Sequence, residues 1–252
     1  VGRILNIAAY KFVALREPAE LAALVRERAG AAELVGTVLL AEEGINLFLA
    51  GEPHATRAFV SMLRSDARFA DLDVKESWSA RPPFRRLVVK VKREIIRMNR
   101  PAVRPQEGRA PAIAARDLKR WLDRGADDEG RPVVMLDTRN AFEVDAGRFD
   151  GAVDWRLSRF GDFADAFARR AGELDGKTVV SYCTGGIRCE KAAILMRASG
   201  FDRVYQLDGG ILKYLEETGA QGAPHWRGEC FVFDARVALD ARLQPADVAM
   251  SA

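Results

Sequence analysis

The residues best equipped for chemistry lie in one unbroken run, Cys183-Thr184-Gly185-Gly186-Ile187-Arg188. The apolar stretch Thr178–Tyr182 predicts a buried strand that delivers Cys183 at its carboxyl end, and Ile187–Ser199 predicts a helix that follows and stops at Gly200. In open parallel α/β sheets that strand end is where ligands bind. Gly185 and Gly186 let the backbone curl tightly and turn its N–H groups inward. Arg188 adds a fixed charge in the first helical turn, and the helix N-terminus adds a partial one, so an anion is favoured beside the sulfur. The same field is expected to lower the thiol pKa below its ~8.5 reference. A thiolate ringed by amides can attack a sulfur or phosphorus centre, or carry a terminal persulfide. Cysteine phosphatases use a longer spacer between Cys and Arg and place His before the Cys. Here Tyr182 precedes Cys183, and the tighter ring suits a sulfur-bearing thiolate better than a phosphate.

The chain has three cysteines, Cys183, Cys189 and Cys230, an odd and low count that does not suggest a disulfide framework. Reduced thiols in a cytoplasmic protein are expected. Cys189, in the first turn of the helix, could resolve a persulfide on Cys183 as a disulfide partner, or be a small packing residue. There is no C-x-x-C spacing, and the two histidines, His54 and His225, are far apart, so no metal site is expected. No G-x-G-x-x-G fingerprint and no facial-triad histidines appear, and no cofactor is evident. No apolar run approaches the ~18 residues of a membrane span. The opening Val1-Gly2-Arg3-Ile4 has no signal-peptide layout.

The elements around the cysteine fall into two groups. Over residues 1–98 the order is strand Ile4–Val13, helix Pro18–Ala29, a hairpin of Leu34–Leu40 and Ile45–Ala50 turning at Gly44, helix His54–Leu63, and strands Asp71–Trp78 and Leu87–Ile96. That is a β-α-β-β-α-β, ferredoxin-like α+β domain. Residues 99–111, rich in proline and charge, read as a linker. Over 112–222 helices Ala114–Asp123, Phe163–Ala171 and Ile187–Ser199 alternate with strands Pro132–Leu136, Thr178–Tyr182 and Val204–Leu207, and a last helix ends near Thr218. Continuously apolar strands between helices predict a parallel sheet covered on both faces. Residues 223–252 form a C-terminal extension, packed over His225–Val237 and loose from Pro245 to Ala252.

The second region resembles the rhodanese family over about Ala112–Thr218. The resemblance rests on Asp137-Thr138-Arg139 with Glu143, on Gly147-Arg148-Phe149-Asp150-Gly151-Ala152-Val153, on the cysteine loop, and on Leu207-Asp208-Gly209-Gly210. It implies a persulfide-carrying Cys183. The acidic and basic residues at 137–143 are expected to brace the sheet end, and Asp208-Gly209-Gly210 to form a strand-to-helix turn.

A rhodanese domain alone leaves the substrate open. Formal charge is only +3, but segment 75–104 sets ten bases against Glu76 and Glu94. Val89 and Val91 alternate with Lys90 and Lys92, which predicts a basic row on one strand face, and Trp78 and Phe84 lie within the strip as platforms for base stacking. Arg81, Arg85, Arg86, Lys90, Lys92 and Arg93 are the candidates for contact with RNA phosphates. A solvated sheet face is the plainer alternative.

From Ile7 to Val237 the chain resembles the bacterial tRNA uridine hydroxylase family. The marks are Tyr10-Lys11-Phe12, Ala41-Glu42-Glu43-Gly44-Ile45-Asn46, Lys90-Val91-Lys92-Arg93-Glu94-Ile95, the cysteine loop continued through Cys189-Glu190-Lys191, and Phe231-Val232-Phe233-Asp234-Ala235-Arg236-Val237. The resemblance implies hydroxylation of the wobble uridine of tRNA to 5-hydroxyuridine, with molecular oxygen as co-substrate and an unidentified reductant. It implies binding of the tRNA anticodon loop; no membrane and no obligate protein partner are expected. Many relatives continue into a cysteine-rich tail, whereas only Cys230 follows the rhodanese region here. Two other readings stay open: a sulfurtransferase moving sulfane sulfur from a small donor to an acceptor, and a non-catalytic RNA-binding module. Glu42, Glu43 and Asn46 either approach the target base or serve as turn residues.

Overall fold

The structure is a computed structural model that describes residues 3–246. Its described residues form two compact units, one within Val1–Ile96 plus Phe233–Arg236 and one within Arg97–Val232 plus Val237–Ala252.

The first unit contains β1 (Ile4–Phe12), α1 (Pro18–Ala31), β2 (Val35–Ala41), β3 (Gly44–Gly51), α2 (Pro53–Arg64), β4 (Val74–Ser79) and β5 (Leu87–Val91). The sheet order is β4-β1-β3-β2-β5. Its first four strands are mutually antiparallel, as the ferredoxin-like reading requires, and β5 adds a fifth strand parallel to β2. The hairpin turns where expected. Gly44 takes φ +145°, and a Cβ there would collide with the Lys11 carbonyl, so only glycine allows β3 to lie this close to β1. Leu5, Val25, Leu40, Ile45, Leu47, Leu49 and Phe69 are fully buried in the core between sheet and helices. On α1 the buried stripe is Leu21, Ala22, Val25 and Ala29, while Leu24, expected on that stripe, is exposed.

The sequence reading fails at the last strand. The β5 ladder ends at Val91, with one further hydrogen bond from the Lys92 N–H to the Leu40 carbonyl, and Val91 is 46% exposed. The valine–lysine alternation therefore does not continue to Ile96. The chain instead leaves the sheet, keeping Lys92 and Arg93 exposed and burying Ile95. Trp78 is on β4, at the opposite sheet edge from Lys90, and packs on the core with Arg57 over its ring. It is not part of a basic strip.

The second unit contains β6 (Ala112–Ile113), α3 (Ala115–Arg124), β7 (Val133–Asp137), α4 (Ala141–Ala146), β8 (Gly147–Phe149), β9 (Val153–Asp154), α5 (Phe163–Arg170), β10 (Thr178–Tyr182), α6 (Ile187–Ala198), β11 (Val204–Leu207) and α7 (Gly210–Thr218). It ends with β12 (Trp226–Gly228), β13 (Cys230–Phe231) and β14 (Ala238–Leu239). The sheet order is β6-β11-β10-β7-β9, with every pairing parallel. All five residues of the central β10 are buried. Because successive side chains point to opposite faces, helices must cover both sides. Each fully buried valine there contributes about 1.5–3 kcal/mol relative to exposure. Residues 99–111 contain no helix or strand, yet Val103 and Ala110 are buried. The packed part of the C-terminal extension was foreseen, its role was not: β12 pairs antiparallel with β8. Of the tail expected to be loose, Pro245 bridges to Leu239 and the Ala246 N–H donates to the Ala238 carbonyl, while 247–252 lie outside the described residues.

Candidate active site

Cys183 follows the buried centre of the parallel sheet and is itself fully buried. Its strand is held in register at this end. The Tyr182 carbonyl accepts from the Thr138 N–H at 3.0 Å and from the Thr138 hydroxyl at 2.8 Å. The loop then curls over Gly186, which adopts φ +103° and donates its N–H to Cys183 Sγ at 3.2 Å.

The loop is also held from behind. The Ile211 N–H donates to the Cys183 carbonyl at 2.9 Å and the Leu212 N–H to the Thr184 carbonyl at 3.0 Å. The free N–H groups at the start of α7 thus satisfy the outward carbonyls, and the loop amides stay turned toward the sulfur. A Cβ on Gly210 would meet the Cys183 and Thr184 carbonyls and the Gly186 nitrogen. The turn Asp208-Gly209-Gly210 is therefore the loop's support and not only a connection between elements.

Arg188 is buried and points at a partner that the sequence reading placed nearby without pairing it. Its Nη1 donates to Glu143 Oε2 at 2.6 Å and its Nη2 to Glu143 Oε1 at 2.7 Å. The Thr184 hydroxyl donates to Glu143 Oε1 at 3.4 Å. Glu143 sits in the first turn of α4, where its carboxylate also accepts the Asn140 N–H at 3.1 Å. Burial alone would strip the Arg188 charge, but the paired carboxylate more than compensates and holds the guanidinium protonated. The sequence marked Glu143 only as part of an Asn-x-x-Glu helix start; nothing in it paired that carboxylate with Arg188.

Beneath this pair lies a second. Arg139 is fully buried, bonds Asp137 through Nε and Nη2, and donates to the Glu143 and Gly147 carbonyls. Its guanidinium lies between the Tyr182 ring at 5.6 Å and the Trp226 ring at 5.5 Å. The bracing role expected of residues 137–139 is what the geometry shows. The contribution of Trp226, from the C-terminal extension, had no sequence signal.

Burial opposes ionisation of Cys183, but the Cys189 thiol, the Arg188 charge and the Cys189 and Arg188 amides outweigh it and bring the thiol pKa down to about 5. The surroundings of Cys183 therefore favour its thiolate form over the neutral thiol. Cys189 shows the reverse behaviour: burial and the neighbouring Cys183 push its thiol well up, and it also reaches the Gly186 carbonyl at 2.9 Å. Cys230 is buried and pushed up to about 12, chiefly by desolvation. Among the described residues no group of three or more His, Cys, Asp or Glu side chains is placed to hold a metal ion. His54 is exposed on α2.

In the first unit, Arg81, Arg85, Arg86, Lys90, Lys92 and Arg93 are all exposed, and none of their side chains makes an ion pair among the described residues. The other bases of the strip differ. Lys75 pairs with Asp73, Arg100 with Asp165 and Arg104 with Glu107. Glu43 and Asn46 hold the chain that follows β5: Glu43 Oε1 accepts the Ile95 N–H at 2.7 Å, and Asn46 Nδ2 donates to the Ile95 carbonyl at 3.3 Å. They fix the backbone at Ile95, two residues after Arg93.

Residues 4–95 match the model of the UPF0176 acylphosphatase-like domain, and residues 114–217 that of the rhodanese-like domain. A tRNA uridine(34) hydroxylase of Variovorax paradoxus is 61% identical over 99% of this chain and 94% of its own. One from Bordetella petrii is 63% identical over 96% of this chain and 95% of its own. A third, from Cupriavidus taiwanensis, is 59% identical over 97% of this chain and 86% of its own. With both domains matched in order and three in five residues shared end to end, the chain belongs to the tRNA uridine(34) hydroxylase family.

Proposed function

We propose that this protein hydroxylates C5 of the wobble uridine of tRNA in the cytoplasm, with Cys183 as its reactive thiol. The observation that carries the reading is a buried cysteine whose Sγ accepts the Gly186 N–H, in a chain 61% identical over its length to a tRNA uridine(34) hydroxylase. Molecular oxygen supplies the hydroxyl oxygen, and two electrons and two protons from a separate reductant turn the other oxygen atom into water. Cys183, as thiolate or persulfide, adds to C6 of the uracil and makes C5 electron-rich enough to take up oxygen. Loss of the C5 proton then expels the sulfur. Arg188 and the loop amides hold the sulfur anionic when it leaves. The six unpaired bases of the first unit bind phosphates of the anticodon arm, and the target base leaves its stack to be reached.

Cys189 serves this cycle better as a proton-bearing neighbour that stabilises the Cys183 thiolate than as a resolving thiol, because its own pKa is raised. A second reading, sulfur transfer from a small donor, is favoured by the tight loop whose Gly186 amide bonds Sγ. Nucleoside mass spectrometry of tRNA from a deletion strain carrying wild type or Cys183→Ala separates the two. The first reading expects 5-hydroxyuridine and its derivatives only with wild type. Full hydroxylation by the alanine variant defeats it, and loss of a thiolated nucleoside instead selects the second.

A further inference from the structure

The sheet of the first unit has one face packed on α1 and α2 and one face turned away from them. Leu47 and Leu49 of β3 and Val38 and Leu40 of β2 lie in the core with both helices. Because side chains alternate along a strand, Phe48 and Thr37 face the other way. The pairing register sets them in one row across that outward face: Lys75 of β4, Ala8 of β1, Phe48 of β3, Thr37 of β2 and Val88 of β5. β3 is the middle strand of the five, so the ring stands at the centre of the sheet. It is 36% exposed, and its direct neighbours on both sides, Ala8 and Thr37, are small. Lys90 follows Val88 by two residues on the same side of β5, about 7 Å along the strand, and is exposed. The segment after β5 crosses this face one row further on, where Asn46 holds the Ile95 carbonyl, and borders the ring on that side. Among the five strands the one acid is Glu76, and it lies on the helix face, bonded to Arg57 of α2. The outward face thus joins an aromatic ring to a cation with no strand carboxylate to oppose them.

We propose that this outward face binds a single-stranded segment of tRNA, with Phe48 stacking one base and Lys90 holding a phosphate beside it. This rests on the hydroxylation reading and deepens it by naming a surface that grips the substrate. Bases in a loop are splayed from their neighbours, and an aromatic ring on a sheet replaces the lost stacking without demanding a particular base edge. Small residues on both sides of the ring leave a base room to lie flat. A paired stem offers no such base, so the ring discriminates loop from duplex, while Lys90 attracts the backbone of either. Phe48 and Lys90 are binding residues and take no part in bond making.

The test uses full-length protein and two fluorescent RNAs of equal length, an anticodon stem-loop and a fully paired duplex, with affinity read by anisotropy at several salt concentrations. Wild type is expected to bind the stem-loop more tightly than the duplex. Phe48→Ala should lose about tenfold on the stem-loop, in line with the worth of one stacked base, and nothing on the duplex. Phe48→Trp should keep the wild-type preference. The salt dependence should be unchanged by Phe48→Ala, because the ring neutralises no phosphate. Lys90→Gln should flatten the log–log slope on the stem-loop by roughly 0.7, and Arg28→Gln, on α1 at the other face, should leave it unchanged. Wild-type affinity of Phe48→Ala for the stem-loop overturns the proposal, as does no preference by wild type. Equal losses on both RNAs also overturn it, since the ring would then only support the sheet. Equal slopes for Lys90→Gln and Arg28→Gln do the same. Hydroxylation is read separately in cells: wild type that prefers the loop but forms no 5-hydroxyuridine defeats the hydroxylation reading and leaves the stacking face standing.

Discussion

Arg188 and Glu143 meet through two short parallel hydrogen bonds, 2.6 and 2.7 Å, with both side chains buried. The bond joins the loop that holds the thiol to the helix that begins beside it. Neither charge has water to fall back on, so each depends on the other.

Removing one partner should therefore cost more than the pair is worth. Glu143→Gln leaves a buried guanidinium without its carboxylate, and the expected loss is about 3–5 kcal/mol of unfolding free energy. Arg188→Met should cost a similar amount by stranding the carboxylate. Urea unfolding followed by fluorescence measures both. A loss below about 1 kcal/mol for either, the level of an exposed pair, would mean that solvent reaches the two charges.

The Cys183 thiol ionises near pH 5, against ~8.5 for an ordinary thiol. Its alkylation rate should rise with an inflection near the lower value, by iodoacetamide labelling and peptide mass spectrometry. The linked effect on stability has a fixed sign. The folded pKa lies below the unfolded one, so the contribution is fully present above pH ~8.5 and is lost as pH falls through about 5. The stability difference between wild type and Cys183→Ser should shrink over that range.

Cys189 should act on that inflection. Its thiol is one of the groups that lower the Cys183 pKa, so Cys189→Ala is expected to move the alkylation inflection upward and Cys189→Ser to move it less. Cys189 itself should stay unlabelled at neutral pH because its thiol is pushed well up. Rapid labelling of Cys189 in native protein would contradict this arrangement.

Charge reversal at Arg85, Arg86 and Lys90 together should weaken tRNA binding by at least about tenfold at moderate salt. It should also flatten the log–log salt dependence by roughly 0.9 for each phosphate that is no longer neutralised. Reversing Arg120, already engaged with Asp128, should do much less. Filter binding at several salt concentrations decides it; equal losses would make the effect one of net charge.

Gly210→Ala places a methyl group against the Cys183 and Thr184 carbonyls at a residue with φ +66°. Hydroxylation should fall by about a hundredfold or more in nucleoside analysis, while tRNA affinity stays within about twofold, because the cationic residues lie in the other unit. Unchanged hydroxylation would show that the loop tolerates displacement.

Local patterns carried much of this molecule. The helical spacing of Phe59 and Leu63, the apolar run of β10 and the position of Gly44 each predict an element that the structure contains, because each pattern is enforced by burial or by φ. The cysteine loop was legible for the same reason: its glycines and arginine act within six residues. What could not be read depends on pairings far apart in the chain. Nothing near Arg139 points to Trp226, and nothing near Cys183 points to Ile211 and Leu212. The basic strip misled in part because charge along a sequence ignores topology. Lys75 and Trp78 are on one sheet edge, Lys90 on the other, and several of the bases are already paired.

The seat of Trp226 against Arg139 has a consequence for biosynthesis. The ribosome delivers the strand, loop and helices of the rhodanese-like unit before it delivers Trp226 and β12, which close over Arg139 and β8. Until then the Asp137–Arg139 brace is open on one side to water. The nascent chain thus carries its thiol on an unfinished support, and full reactivity should emerge only once Trp226 and β12 have left the ribosome.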